Sequence, residues 1–284
     1  AAGAVLALSA FSAAVSAAPL ATQGVCGTPD LPPEVARAVE QLAVQLTPLQ
    51  PKSGEVQIPI AFHNVYSGKV GKVADNQIAA LVNNLNVGFQ NTPFSFYLYR
   101  VDRTNNKAWY SSCGPGGKNE QKMKQRLARD PRHVLNIYSC TPSSAGLPPG
   151  QVLLGFAYYP FAFAETSTAH GVTLHPSALP GGSNPDYGTY GLVGIHEVGH
   201  YLGLYHTFQG GCEGDGDFVA DTAAQSEAHF SCPIGIDTCP DGQGPDDTQN
   251  FMNYSNDSCM NHFTPGQVSR MTLATQIFKP SIWQ

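Results

Sequence analysis

The sequence predicts an α+β domain with two unequal lobes and a cleft between them. In the first half, segments of strand-like composition alternate with amphipathic segments of helical periodicity. Residues 210–250 then form a long stretch rich in Gly, Asp and Pro in which neither periodicity is present, and one further helix is expected near the C-terminus. No internal repeat is present. This order predicts a sheet-containing lobe followed by a loop-rich lobe.

The individual elements follow from the spacing of apolar residues. Strands are expected over 55–66, 94–103, 133–140, 151–159 and 171–174. Helices are expected over 33–46, 75–89, 118–128, 190–202 and 264–277. Asp75 is expected to cap the second of these helices. Thr264, followed by Pro265 in the first turn, is expected to cap the last.

Composition and charge exclude several classes of function. A chain of 284 residues with 42% hydrophobic and 13% charged residues is typical of a globular protein and not of a disordered one. The net charge of −6, without any Lys/Arg-rich run, argues against a nucleic-acid partner. The same charge gives no electrostatic reason to bind an anionic membrane. A monomer is the default expectation for the oligomeric state.

The N-terminal region predicts secretion. Residues 4–17 form a short apolar run of small residues, which ends in the cleavage-type sequence Val15-Ser16-Ala17. A core helix is the alternative, but a run so rich in Ala and Ser would pack poorly. We therefore expect residues 1–17 to be a signal peptide, truncated at its start, residues 18–54 a propeptide, and residues 55–284 the catalytic domain. Secretion makes disulfides the default for the seven cysteines, and the odd number leaves one thiol over.

The motif that carries chemistry runs from His196 to His206. His196 and His200 are four residues apart, so on a helix they lie one turn apart on the same face and can bind one zinc ion. Gly203 permits a left-handed turn that ends the helix, after which His206 can supply a third ligand. Three protein ligands with an open fourth position are typical of catalytic zinc, and Glu197 is placed to act as general base.

Together with Asn250-Phe251-Met252-Asn253-Tyr254, this motif resembles the metzincin pattern, and within it the pappalysin (cytophagalysin) family of secreted metalloproteases. The resemblance implies an upper lobe of twisted mixed sheet with two main helices, one of them carrying the zinc ligands. It implies a lower lobe that contains a methionine turn and the C-terminal helix. It further implies that Met252 lies beneath the zinc and that Tyr254 stabilises the transition state. The implied substrates are proteins or peptides.

The same resemblance assigns roles to the cysteines. It implies two interleaved disulfides, Cys212–Cys239 and Cys232–Cys259, although spacing alone allows three pairings of these four residues. Cys113–Cys140 is a candidate third bridge. Cys26, in Cys26-Gly27-Thr28-Pro29-Asp30, resembles the cysteine switch of metzincin propeptides, with Gly24 where the usual Arg would stand. A free thiol, or a disulfide from Cys26 to Cys113 or Cys140, is the alternative.

Two further predictions concern carboxylate side chains. Resemblance suggests structural calcium at Asp217, Asp221 and Thr222, whereas a solvated acidic loop is the alternative. Asp257 stands three residues after Tyr254, a position from which it could enter the pocket for the side chain after the scissile bond and favour Arg or Lys there.

The motif is also compatible with three other functions: a zinc-binding domain without catalysis, a metzincin of another family, and a zinc hydrolase that does not cleave peptides. The retained Glu197 argues against the first, and the cysteine-bearing insert between helix and methionine turn argues against the second. Residues 151–159 are the expected edge strand for the substrate. Activation would require a cut between Cys26 and Ile58, where Lys52 is the only basic residue after Arg37.

Overall fold

A computed structural model describes residues 26–47, 52–142, 147, 152–184, 186–241 and 243–284. Its strands are β1 (Val56–Tyr66), β2 (Phe94–Asn105), β3 (Leu135–Ser139), β4 (Gly155–Ala157) and β5 (Val172–Leu174). Its α-helices are α1 (Pro33–Leu46), α2 (Asp75–Gly88), α3 (Lys107–Ser111), α4 (Lys118–Leu127), α5 (Val193–Leu202) and α6 (Pro265–Phe278). Short 3-10 turns span Pro176–Ala178 and Pro280–Trp283. The predicted signal peptide lies outside the described residues.

The five strands form one mixed sheet in the order β2-β1-β3-β5-β4. β1 pairs in parallel with β2 and β3, and β3 pairs in parallel with β5. β4 alone is antiparallel to its neighbour, β5, and lies at one edge of the sheet. The predicted α+β fold with a mixed sheet is confirmed. The edge strand is shorter than the 151–159 expected, because only Gly155–Ala157 extend the ladder.

The main core lies between the sheet and helices α2 and α5. It joins apolar residues of β1, such as Ile58, Ile60 and Phe62, with Ile78 and Leu81 of α2. Helix α2 begins at Asp75 as expected, but Ala74 occupies the N-cap, so the prediction that Asp75 caps this helix was wrong. Asp75 instead accepts a hydrogen bond from the guanidinium of Arg103 on β2.

The lower lobe consists of irregular backbone, which is stabilised by disulfide bonds, together with helix α6. Disulfides join Cys212 to Cys239 and Cys232 to Cys259, and a third, Cys113–Cys140, crosses from the α3–α4 region to the end of β3. The first two are the pairs that the family resemblance implies, and the third is the candidate bridge. Thr264 caps α6 by accepting a hydrogen bond from the Gln267 amide, as predicted. Long irregular segments bury little apolar surface, so cross-links of this kind stabilise them mainly by restricting the unfolded chain.

The N-terminal part of the described chain lies against β4 and α6. Residues 26–30 are extended beside β4, with an isolated bridge between Cys26 and Gly155. Helix α1 follows, with the predicted bounds, and buries Ala36, Val39 and Ala43 against the molecule. Within the described ranges, no helix has the length and apolar character needed to cross a membrane.

Candidate active site

The predicted metal motif lies on α5 and on the turn that follows it. All ten residues of α5 are buried. Gly203 ends the helix with a φ of +112°, and its amide donates to the carbonyls of Gly199 and His200. A side chain at Gly203 would be strained at this φ and would also meet the Cβ of Ala274 at 2.6 Å. The glycine therefore permits the reversal that returns His206 to the face of α5 that carries the other two histidines.

The three imidazoles converge on one point. Nε2 of His200 lies 3.1 Å from Nε2 of His196 and 3.1 Å from Nε2 of His206. Each opposite ring nitrogen donates outward: Nδ1 of His196 to the Phe251 carbonyl at 2.7 Å, and Nδ1 of His200 to the Leu204 carbonyl at 2.7 Å. Because a carbonyl can only accept, Nδ1 carries the proton in both rings. The lone pairs of Nε2 therefore face one another, as in ligands oriented for a metal ion.

Burial keeps the His196 and His200 rings neutral. Desolvation, with a contribution from His206, lowers the pKa of His196 to about 3 and lowers the pKa of His200 well below its usual value. Three buried imidazoles whose Nε2 atoms converge would leave those nitrogens without a partner unless a cation lay between them. The donor set therefore fits zinc, which prefers imidazole nitrogen. Cys26 is the fourth donor of the cluster: its sulfur and one nitrogen of each histidine all lie within 4.8 Å of one another.

Glu197 is fully buried beside the cluster. Burial raises the pKa of its carboxyl to about 8, although hydrogen bonds from Cys26 and Thr28 oppose the rise. Its Oε2 accepts from the Thr28 hydroxyl at 3.2 Å and from the Cys26 thiol at 3.6 Å. Oε1 has no hydrogen-bond partner among the described residues. A carboxylate with a raised pKa and one unused oxygen suits a group that takes up and releases a proton near neutral pH.

Met252 packs directly beneath α5. A Cβ built on Gly199 would lie 2.5 Å from the Met252 sulfur, so the methionine turn reaches the helix only because residue 199 is glycine. Met252 is fully buried in the main core, and its amide donates to Asn250 Oδ1 at 2.9 Å. This contact places the turn against the helix that carries two of the histidines.

The Tyr254 ring stands beside the histidines. Its centroid lies 5.8 Å from that of His196 and 5.1 Å from that of His206. The hydroxyl is buried and has no hydrogen-bond partner in the part of the chain that the structure describes. Desolvation raises its pKa well above the usual value, so the phenol stays protonated and can donate.

The segment around Cys26 occupies the cleft as an extra strand. It runs parallel to β4: the Gly27 amide donates to the Gly155 carbonyl at 2.8 Å, and the Ala157 amide donates to the Thr28 hydroxyl at 2.9 Å. All seven cysteines lie in described ranges, and Cys26 is the one without a bridge. The alternative of a disulfide to Cys113 or Cys140 is therefore wrong, because those two bind each other.

Two contacts of this segment escaped prediction. Asp30 Oδ1 accepts from Nδ1 of His206 at 2.8 Å, so the segment orients the third histidine. Thr28 bridges Glu197 and β4. Both residues stand in the segment singled out for Cys26, but a Thr two residues and an Asp four residues after that cysteine carry no sequence pattern of their own.

Asp257, predicted to enter a substrate pocket, lies outside the pocket beside the histidines. Asp257 lies under the segment that leads into α5, where its carboxylate accepts from the backbone amides of Tyr190, Gly191 and Leu192 at 2.7–3.0 Å. Burial raises its pKa to about 6, against the effect of those hydrogen bonds. It does not line the pocket beside the histidines. The expected Arg- or Lys-selective role therefore has no support from its position, because both oxygens already bind backbone.

The pocket beside the histidines has both polar and apolar walls. Tyr187, Val193 and Met260 line it beside Tyr254, and its polar lining includes His196, Glu197, Asn253 and Ser255. The Ser255 hydroxyl is buried and has no hydrogen-bond partner within the described ranges. Neither Ser255 nor Tyr187 was predicted, since single Ser and Tyr residues in a loop give no sequence signal.

Two of the residues predicted for calcium contact each other, and the third binds the start of α6. Asp217 is buried, and its Oδ1 accepts from the Thr222 hydroxyl at 2.7 Å. Asp221 instead accepts from the Thr264 hydroxyl and the Gly266 amide at the start of α6. Asp221 thus serves as an additional cap for this helix.

Comparisons with known proteins agree with this geometry. The profile of the peptidase family described as Pregnancy-associated plasma protein-A matches residues 119–276. An extracellular metalloprotease of Pyricularia oryzae is 37% identical over 272 residues, which cover 92% of each chain. Extracellular metalloprotease 1 of Coccidioides posadasii is 36% identical over 283 residues, 97% of each chain.

Solved structures show the same fold. A promirolysin mutant of Tannerella forsythia superposes with a TM-score of 0.76 at 27% identity, covering 92% of this chain and 97% of its own. Mature mirolysin of the same organism, in complex with a cleaved peptide, gives 0.68 at 27% identity and covers 81% and 96%. The chain therefore belongs to the pappalysin family of metzincin metalloendopeptidases.

Proposed function

We propose that this chain is a secreted, zinc-dependent endopeptidase that is made as a zymogen and uses Glu197 as its general base. The observation that supports this most directly is the convergence of three buried histidine Nε2 atoms beside a carboxyl whose pKa is raised to about 8. Relatives named extracellular metalloproteases, together with the predicted signal peptide, support secretion.

His196, His200 and His206 would hold the zinc, and in the described state the acceptors of their Nδ1–H groups keep each ring in the binding tautomer. Zinc in such a set supplies Lewis acidity, which acidifies water and polarises a peptide carbonyl. Glu197 takes the proton from the attacking water on its unpaired Oε1 and delivers it to the leaving amine.

Tyr254 and β4 provide the remaining functions. The Tyr254 hydroxyl has no partner among described residues, so it is available to donate a hydrogen bond to the carbonyl oxygen as negative charge develops there. β4 presents backbone groups at the edge of the sheet, and residues 26–28 already use them. A substrate chain would pair with the same strand once those residues have left.

The test is casein cleavage and zinc content of the processed enzyme, comparing wild type with Glu197→Gln. Removing a general base should lower turnover by about a hundredfold or more while one zinc per chain is retained. Glu227→Gln, at an exposed glutamate, is the matched control and should behave as wild type. Retained activity in Glu197→Gln would exclude the proposed role of this residue. A zinc-loaded wild type inactive on every peptide would exclude the peptidase function.

Latency is the second part of the proposal. Cys26 completes a four-donor set with the histidines, and a thiolate is a strong zinc ligand. Residues 26–28 cover the edge strand, so the zymogen offers a substrate neither the metal nor the pairing edge. The pro-form of mirolysin covers 92% of this chain and the mature form 81%, which supports a propeptide over 18–54 and a catalytic domain over 55–284. Removing the N-terminal part would open the cleft.

The last part of the proposal is a structural calcium ion. Of the residues predicted to bind it, only Asp217 has an arrangement that supports it. Its Oδ2 is buried without a hydrogen-bond partner among the described residues, and burial raises the pKa of the carboxyl to about 7. A buried, unsatisfied carboxylate oxygen suits a hard cation. A thermal melt with and without EGTA tests this: a melting temperature unchanged by EGTA, and unchanged when calcium is added back, would refute it.

A further inference from the structure

Helix α1 covers a face of the catalytic domain that combines aromatic rings with one arginine. Leu31, just before α1, packs together with Ala36 and Val39 of α1 into an apolar cluster. The members of this cluster from the catalytic domain include Phe156, Tyr158, Tyr159, Phe161 and Tyr205. Glu40 of α1 lies on Arg270 of α6, with Oε1 2.6 Å from Nη2 and Oε2 3.0 Å from Nη1. The helix therefore contributes one carboxylate and an aliphatic stripe to this contact.

The catalytic domain holds Arg270 in place without α1. Its Nε donates to the Gly203 carbonyl at 3.0 Å, and its guanidinium lies 4.3 Å from the centroid of the Tyr205 ring. The two terminal nitrogens donate to the Glu40 carboxylate. Asp217 adds a favourable charge at longer range. When α1 leaves, a preoriented guanidinium fork would remain, a geometry that suits a carboxylate.

This face is continuous with the active site. The chain passes from Asp30, bound to His206, to the start of α1 at Pro33. On the catalytic side, the ring of Tyr159 contacts both His200, at 5.6 Å, and Tyr205, at 5.2 Å. A row of aromatic rings thus leads from the histidines to Arg270. A substrate that extends from this end of the cleft would meet the face next.

The zymogen helix does not fill the face completely. A mainly apolar groove remains beside α1; its walls on the catalytic side include Phe161, Phe163, Ile277 and Phe278, and Glu165 also lines it. Removal of α1 would expose these rings together with Tyr205, producing an apolar area with one cation at its margin. Exposed apolar areas of this kind, rimmed by a polar group, mark protein-binding sites.

We propose that this face, defined by Tyr205, Phe161, Phe278 and Arg270, docks protein substrates in the mature enzyme. The occupant is a substrate segment that places a carboxylate on Arg270 and aliphatic side chains on the aromatic row, as α1 does in the zymogen. The inference rests on the proposed function, because it requires a peptidase from which α1 has been removed. It adds a recognition element outside the cleft that favours acidic, apolar stretches of protein over short peptides.

The test uses the processed enzyme and a fluorescent peptide of residues 31–47, which lacks Cys26 and Asp30 and so cannot reach the metal. The wild-type peptide is compared with Glu40→Gln and with Glu34→Gln, a control at an exposed glutamate of the same helix. We expect binding in fluorescence anisotropy, weakened at least about tenfold by Glu40→Gln and less than twofold by Glu34→Gln. We also expect the wild-type peptide to raise the KM for casein and to leave cleavage of a five-residue fluorogenic peptide unchanged.

The outcomes separate the two proposals. If the enzyme cleaves both substrates but the peptide does not bind, or both Gln variants weaken it equally, the docking inference is overturned while the proposed function stands. Equal inhibition of casein and the short substrate would also overturn it, because the peptide would then occupy the cleft. If neither substrate is cleaved by the zinc-loaded enzyme, the proposed function fails and the docking inference fails with it.

Discussion

The buried ion pair between Glu120 and Lys124 on α4 yields a quantitative prediction. The two side chains are 2% and 1% exposed, and Nζ lies 2.8 Å from Oε1. Nζ also donates to the Ala169 carbonyl at 2.9 Å, and Glu120 Oε2 accepts from the Tyr158 hydroxyl next to the edge strand. Lys124→Met would leave the carboxylate buried without its cation. Removing one partner of a buried pair costs about 3–5 kcal/mol.

A loss of this size should lower the melting temperature by roughly 6–20 °C in a domain of this length. The assay is thermal unfolding by circular dichroism, in a Glu197→Gln background that prevents self-digestion. Lys122→Met, at an exposed lysine of the same helix, is the control and should stay within about 0.5 kcal/mol of the parent. Adding Glu120→Gln to Lys124→Met should recover part of the loss, because no unpaired buried charge remains. A Lys124→Met protein as stable as the Lys122→Met control would refute the reasoning.

Three further predictions concern the site and its surroundings. Cys26→Ser should let the unprocessed chain cleave casein, because serine is a poorer zinc ligand than cysteine; equal latency of the two unprocessed proteins would contradict the switch. Gly199→Ala places a Cβ 2.5 Å from the Met252 sulfur, so we expect reduced zinc content by atomic absorption, and full retention through dialysis would count against this contact. The hydrogen bond with Asp247 raises the pKa of His262. This stabilisation is therefore present below the ordinary histidine pKa and lost as the pH rises through the raised value. Urea unfolding between about pH 6 and 8 should show a smaller fall in stability for His262→Gln than for wild type, and equal falls would exclude the linkage.

Local patterns predicted most of the elements of the fold. The periodicity of apolar residues gave α1 its bounds, and Thr264 with Pro265 located the start of α6, because caps and amphipathic faces are short-range properties. The length of the edge strand was overestimated, because strand pairing depends on the neighbouring strand and not on composition alone. Asp75 was misassigned as a cap because Arg103, distant in sequence, binds its carboxylate.

The metal motif was determined by the sequence alone, because the three histidines lie within eleven residues and helix geometry fixes two of them on one face. Only the tertiary structure decided what surrounds that motif. Asp257 accepts from the Gly191 amide, 66 residues away in the sequence. Asp30 contacts His206 across 176 residues, and Glu40 pairs with Arg270 across 230. Contacts at such separations depend on how whole elements pack, and no local pattern in the sequence encodes them.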